Sequence, residues 1–286
     1  MSRRMRISRD VLKTLDSFGL RQTEVDPRDR TIVPGIGEPA AEKEPAPEVR
    51  GFTVAWRTDR GKVRQNNQDA VICDGALVGV ADGMGGHQGG EVASAGLRDL
   101  LTDLLKDKPC DPQTLASAVR IANRRLFIRS QEDEHLRGMG TTLDVLWIGA
   151  ESVYCAHVGD SRVYLLRNGE LKQITDDHSM VMEMYRAGLI TAEQAAHHPM
   201  RNIITRAVGT ESGVDVDLIS TARQKGDVWL VCSDGLHGMV KDEDIADILG
   251  RYAPEEAAGE LLSRAMAAGG LDNISLVVVL DREGVQ

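Results

Sequence analysis

The chain has 286 residues, 42% of them hydrophobic and 27% charged, enough apolar material for one large domain or two small ones without disulfide staples. Aromatic residues are only 3%, which excludes wide base-stacking platforms, and a net charge of −10 argues against nucleic acid as the main partner. Cys73, Cys110, Cys155 and Cys232 form no CxxC motif, no apolar signal run follows the basic N-terminus, and no apolar stretch approaches the roughly 20 residues that span a bilayer, so the chain reads as a soluble cytoplasmic protein.

Residues 1–50 stand apart. They hold five of the nine prolines (Pro27, Pro34, Pro39, Pro45 and Pro47) and a near-balanced 10 basic and 9 acidic groups. Val11, Leu12, Leu15 and Phe18 fall on one helical face that Gly19 ends. This predicts a short amphipathic helix, packed on its own domain or docked on a partner. From Asp26 to Arg50 no hydrophobic period is visible, and the stretch reads as a linker. The expected division is an N-terminal extension, 1–50, and one domain, 51–286.

From Gly51 the pattern becomes dense. Strands are predicted at GFTVAWRT, DAVICD and ALVGVAD, followed by the glycine-rich stretch Gly83 to Gly90. Two helices come next: one buries a face of Leu97, Leu100, Leu101, Leu104 and Leu105, the other runs from about Pro112 to Ser130 with Leu115, Val119, Ala122 and Leu126 on a stripe. Strands follow at TTLDVLWIG, SVYCAHVG, RVYLLRNG and ELKQIT, with Asn168-Gly169 as a hairpin signal. A mixed insert at about 176–210 precedes strands at VDVDLIST and DVWLVCSD, helices near Asp242–Leu249 and from Pro254, and a closing run ISLVVVL. Strands in two groups with paired helices between them predict an α+β sandwich rather than alternating βαβ units.

Five aspartates share one setting. Asp82, Asp160 and Asp234 each end an apolar run, and Asp69 and Asp272 each open one. One such acid is a turn former, but five, widely spaced along the chain, are expected to converge at one end of the sandwich. Converging carboxylates cannot all stay ionised without a counter-charge. Oxygen donors without thiolates suit Mg²⁺ or Mn²⁺, and two such ions make a hydrolytic site around a shared water. The glycine stretch is not a phosphate loop, because Glu91 follows Gly90 where a Walker loop needs lysine, and Gln88 stands where a dinucleotide loop needs its third glycine. Gly83, without a Cβ to obstruct it, offers its carbonyl as a ligand instead.

Taken in order, RTDRGKVRQNNQDA, VADGMGGHQGGEVAS, GTTLDVLWI, HVGDSRVYLLRNGEL, DDHSMV, RNIITRAVG, LVCSDGL and DNISLVVV resemble the successive motifs of the metal-dependent serine/threonine phosphatases of the PPM (PP2C) family, bacterial branch. The resemblance covers about residues 51–282. It implies an αββα sandwich with two Mn²⁺ or Mg²⁺ ions in a cleft at one edge, and a third, weaker ion. It implies that Asp82 bridges both metals, that Gly83 lends its carbonyl to the second, and that Asp234 and Asp272 hold the other. Asp69 matches the acid that holds metal-bound water, Asp160 the ligand of the third ion, and Arg64 the arginine that grips the substrate phosphate. The guanidinium fork suits that last role. Arg64 and Asp82 are therefore the expected catalytic residues. The implied partners are phosphorylated proteins, opposing a serine/threonine kinase, and the implied state is a monomer with no nucleic-acid or membrane partner.

Two positions depart from the family pattern. Gln68 stands where many members have Glu, which predicts lower metal affinity rather than loss of the site. Met84 stands where animal members carry a histidine proposed as general acid, and Met cannot donate a proton. His87 lies close in sequence. His178 opens the insert that matches the family's flap, as a substrate-side contact or a helix-start residue. Thr31, flanked by Arg28 and Arg30, is either part of a passive linker or a phosphorylation site able to occupy the cleft. A phosphopeptide-binding pseudo-phosphatase and a small-metabolite phosphatase are the alternatives.

Overall fold

The structure is a computed structural model and describes residues 51–85 and 89–285. Its strands are β1 (Phe52–Asp59), β2 (Asp69–Asp74), β3 (Leu77–Met84), β4 (Gly140–Thr141), β5 (Leu143–Ile148), β6 (Ser152–Val158), β7 (Arg162–Arg167), β8 (Glu170–Gln173), β9 (Asp217–Ala222), β10 (Val228–Cys232) and β11 (Ile274–Asp281). Its α-helices are α1 (Gly89–Leu105), α2 (Pro112–Glu132), α3 (Met180–Arg186), α4 (Ala192–Ala196), α5 (Asp234–His237), α6 (Asp242–Arg251) and α7 (Pro254–Ala267).

The strands form two antiparallel sheets, ordered β1-β11-β10-β7-β8 and β2-β3-β5-β6-β9, with β4 paired to β3. Alternation along each strand divides the apolar residues between two layers. In β11, Ile274, Leu276 and Val278 pack towards α6 and α7, whereas Val277 and Val279 meet the other sheet. In β3, Ala81 and Leu77 pack beneath α1 and α2, whereas Val78 and Val80 point into the space between the sheets. The result is the expected αββα sandwich. With three phenylalanines in the whole chain, aliphatic side chains fill its layers. Each fully buried Leu, such as Leu97 or Leu261, contributes roughly 1.5–3 kcal/mol.

Helix α2 starts where the sequence predicts: Asp111 Oδ1 accepts from the Thr114 N–H at 2.9 Å, and Pro112 occupies the first turn. Other boundaries differ. The run TTLDVLWIG is divided at Thr142 into β4 and β5, although the Thr142 N–H still donates to the Asp82 carbonyl at 2.8 Å. The strand in VDVDLIST begins only at Asp217. Asp82 lies inside β3 rather than at its end, and Asp234 opens the four-residue helix α5. The segment 1–50, with the Val11–Phe18 helix and Thr31, and also His87, lie outside the described residues.

Candidate active site

The site is assembled by strand register. Asp69 on β2 sits opposite Asp82 on β3, so both acids share one end of the second sheet. Asp82 is fixed by its backbone: its N–H donates to Thr142 Oγ1 at 2.9 Å, and its carbonyl accepts from Thr141 Oγ1 at 2.9 Å. Asp234 follows β10, and Asp272 precedes β11 in the middle of the first sheet. Asp160 follows β6, and its carbonyl accepts from His237 Nε2 at 3.0 Å.

Two glycines let these segments meet. A Cβ on Gly83 would strike the carbonyls of Gly90 and Gln68, and a Cβ on Gly235 would strike the Asn273 carbonyl. Only glycine fits either place. Asn273 ties the ends together, accepting from the Gln68 N–H at 2.8 Å and donating to the carbonyls of Asn66 and Arg60. Sequence reasoning assigned Asn273 no role, because an Asn beside an Asp reads as an ordinary turn.

Of the seven residues singled out from sequence, six line one cleft of about 250 Å³: Arg64, Asp82, Gly83, Asp160, Asp234 and Asp272. Thr142, Asn202 and Asn273 also line it. Asp69 stands behind, in a neighbouring groove of about 740 Å³. Its Oδ2 accepts from Ser233 Oγ at 2.9 Å. Arg64 Nη2 donates to Asp272 Oδ2 at 2.6 Å, with half of the Arg64 side chain in solvent.

The electrostatics are those of a site short of positive charge. Burial, reinforced by Asp69, Asp234, Asp160 and Asp272, holds the Asp82 carboxyl well above the usual carboxylate range. Burial and then Asp234 push Asp160 up to about 7. Asp69 is raised by burial against the pull of Ser275 and Ser233, and Asp234 by burial and then by Asp272. These residues are only half-buried as a whole, yet Asp69 Oδ1 and Asp234 Oδ1 are sealed from solvent with no hydrogen-bond partner among the described residues. An enclosed carboxylate oxygen without a donor is costly unless a cation meets it. The side chains as placed do not close around one point: among the described residues no three Asp, Glu, His or Cys groups have the geometry to hold a metal. The donor set is nevertheless all oxygen, which fits a hard divalent cation.

A family model described as protein phosphatase 2C matches residues 58–268. The chain belongs to that family. The phosphatase 2C relatives include the "Serine/threonine phosphatase stp" of Listeria welshimeri, 39% identical over 236 residues that cover 78% of this chain and 94% of that protein. The "Serine/threonine protein phosphatase PstP" of Mycobacterium tuberculosis is 42% identical over 226 residues, 78% of this chain and 44% of PstP. A crystal structure of the Mycobacterium tuberculosis phosphatase PstP/Ppp matches with a TM-score of 0.78 and 40% identity, covering 81% of this chain and 99% of the other. A second PstP structure, the catalytic domain in complex with two manganese ions, matches with a TM-score of 0.75 and 39% identity over 81% of this chain and 99% of the other.

Within this phosphatase 2C fold, His178 stands at the start of α3, directly before its cap, and is not among the described residues that line the cleft. Ser179 caps α3, and the His178 ring is buried. Its Nδ1 accepts from the Gly159 N–H at 3.0 Å, and its Nε2 lies 3.2 Å from both Asp217 Oδ2 and Arg206 Nη1. Burial and the neighbouring His157 hold it down to about 4, so the neutral ring bolts the start of the 176–210 insert to the strand end that carries Asp160. Beside it, His157 Nδ1 pairs with Asp144 Oδ1 at 2.9 Å in full burial. Neither acid nor imidazole of that pair is visible as a unit in sequence. Met84 lines the cleft.

Proposed function

We propose that this chain is a metal-dependent phosphatase that hydrolyses phosphoserine and phosphothreonine in proteins. The observation that carries the reading is one cleft lined by Asp82, Gly83, Asp160, Asp234 and Asp272 with Asp69 behind it, the Asp69, Asp82, Asp160 and Asp234 carboxyls raised, and two sealed, partnerless oxygens. Asp82, Gly83, Asp234 and Asp272 would hold two Mn²⁺ or Mg²⁺ ions, Asp69 would orient a water behind them, and Asp160 would hold a third, weaker ion. When bound, the ions supply the charge that ionises the attacking water and offsets charge on the phosphoryl group.

The protein's own groups do the rest. Arg64 is half exposed at the mouth and anchored at one nitrogen by Asp272, which leaves the remaining guanidinium donors for a phosphoryl oxygen. Asn202 and Thr142 add polar wall. No imidazole stands at the Met84 position, so the reaction proceeds without a proton donor there. Gln68 keeps its backbone duty, its carbonyl accepting from the Gly83 N–H at 3.1 Å and Ser94 Oγ at 2.6 Å, and lowers the negative charge of the cleft by one relative to Glu.

Relatives named as serine/threonine phosphatases support phosphoproteins as substrates; that the chain opposes a serine/threonine kinase is part of the proposal. Among the described residues no helix is long and apolar enough to cross a membrane; a cytoplasmic location and a monomeric state are part of the same proposal. We assign the catalytic domain to 51–286 and a separate extension to 1–50. The test is hydrolysis of p-nitrophenyl phosphate and of a phosphothreonine peptide, assayed in excess EDTA and after Mn²⁺ is restored. Activity only with Mn²⁺, abolished by Asp82→Asn, is the expected result; full activity in EDTA overturns the reading.

A further inference from the structure

Helix α2 carries a surface that the cleft does not use. Its inner side, Leu115, Val119, Ala122 and Leu126, is buried in the core. Its outer side presents Arg120, Arg124, Arg125 and Arg129, all exposed, with Ile121 and Ile128 44% and 41% exposed. At about 100° per residue, the two isoleucines form one ridge, with Arg120 and Arg124 along one flank and Arg125 and Arg129 along the other. Between Pro112 and Gln131 there is no acid and no lysine. Among the described residues none of the four arginines is in an ion pair, whereas Arg162, Arg167 and Arg223 are each paired with an aspartate.

We infer that this face docks an acidic, phosphorylated segment of the protein substrate outside the cleft, an inference that rests on the phosphoprotein phosphatase reading. Charge complementarity carries it. A body of net charge −10 repels a phosphorylated, acidic protein, and a concentrated cationic face reverses that repulsion locally. The choice of arginine throughout suits phosphate and carboxylate oxygens, which the guanidinium fork meets in pairs. The isoleucine ridge takes an apolar side chain between the anionic groups. It is too narrow for a lipid surface, because an interfacial helix needs a wide apolar face and Leu115, Ala118, Val119, Ala122 and Leu126 of α2 are committed to the core.

The helix is also joined to the wall of the cleft. Asn123 on its inner side accepts from the Gly209 N–H at 2.7 Å and donates to the Glu211 carbonyl at 3.1 Å. The adjacent Val208 bridges Thr141, the residue that donates to the Asp82 carbonyl. A segment docked on α2 is thus held at a fixed place relative to Asp82, and the tether raises the concentration of its phosphoresidues at the cleft to roughly the mM range.

The test uses the full chain and two double variants, Arg124→Glu with Arg125→Glu and Arg124→Ala with Arg125→Ala. The probes are phosphorylated β-casein, its dephosphorylated form, p-nitrophenyl phosphate and phosphatidylglycerol vesicles. In excess EDTA, where nothing turns over, the Glu variant should bind phosphorylated β-casein about tenfold or more weakly, and the Ala variant less so, with the difference shrinking in high salt. In Mn²⁺, KM for the casein should rise in step while kcat/KM for p-nitrophenyl phosphate is unchanged. Equal casein affinity in wild type and both variants overturns the inference, as does equal binding of the dephosphorylated form. Loss of vesicle binding with casein binding intact assigns the face to lipid, and a change in sedimentation alone assigns it to a second copy; either overturns it. A wild-type chain inactive on p-nitrophenyl phosphate in Mn²⁺ overturns the phosphatase reading instead, and the binding measurement in EDTA reads the face independently of it.

Discussion

Two sets of enclosed aspartates share this molecule and are treated in opposite ways. Beside the cleft, in a groove that Asp160 and Asp234 also line, Asp177 receives both ends of the Arg162 fork at 2.9 and 2.8 Å, and at the other end of β11 Asp281 receives Arg223 at 2.8 and 3.0 Å. Burial pushes both acids up, but the guanidinium bonds outweigh it and hold them below the usual range. At the cleft, Asp69, Asp82, Asp160 and Asp234 are raised, and the one arginine among the described residues that lines it, Arg64, bonds Asp272 from the mouth. The fold knows how to neutralise a buried acid and does so where the acid is structural. Where it withholds the arginine, the missing charge is left for an ion.

The sharpest way to break this comparison is Asp82→Asn. Activity should fall by about 10²–10³-fold or more. In EDTA, by contrast, the variant should unfold at higher urea than wild type, because one charge has left a crowded group. A variant destabilised in EDTA would place Asp82 with the structural acids. The next effect belongs to the other set. Arg223→Met leaves Asp281 enclosed and unpaired and should cost about 3–5 kcal/mol in urea unfolding, with or without Mn²⁺.

Acidity sharpens the contrast further. A carboxyl whose folded value lies above its unfolded value of 3.8 binds protons more tightly when folded, so its contribution to stability is complete below 3.8 and is lost as pH rises through the folded value, about 7 for Asp160. His178 and His237, held by burial to about 4 and about 3, act in the opposite sense, losing stability as pH falls below their unfolded value of 6.5. Comparing wild type with Asp160→Asn in EDTA isolates the carboxyl: wild type should gain on the variant as pH drops from 7 to 4, by of order 1 kcal/mol or more. Equal pH profiles would remove Asp160 from the raised set.

Smaller again is Arg64→Ala, expected to raise KM for phosphate esters about tenfold with a lesser fall in kcat, and Lys at that position should restore part of the loss. An unchanged KM would take Arg64 off the phosphate. The smallest effect is expected from Arg251→Ala, whose partner Asp247 is also exposed, and no measurable shift in Tm should follow.

The site was more legible than the framework that holds it. Asp82, Asp160, Asp234, Asp69 and Asp272 announce themselves because each interrupts or opens an apolar run, a pattern visible in one dimension. The strand periods and the leucines of α1 gave the α+β sandwich for the same reason, and the αββα layering came from the family resemblance. The pairs Arg162–Asp177 and Arg223–Asp281 leave no such trace, since ion pairing between residues 15 and 58 positions apart has no period. Asn273 and His178 were underread because their work is to bond backbone groups from distant segments. Helix α5 was missed because four residues are too few for a 3.6-residue period to show.

One topological detail governs when the enzyme can exist during its own synthesis. Strand β1, the first of the described strands to leave a ribosome, pairs along its whole length with β11, the last, matching Phe52 with Asp281 and Asp59 with Ile274. β11 is also the central partner of β10, and the turn that leads into it carries Asp272. Until that strand emerges, the first sheet lacks the strand that joins its two parts. The nascent chain therefore carries Asp69, Asp82, Asp160 and Asp234 with no assembled cleft. Contacts of such long sequence separation form late and slowly. Catalysis is therefore expected only after the last of the described strands arrives, and a chain cut before Ile274 is expected to show no phosphatase activity.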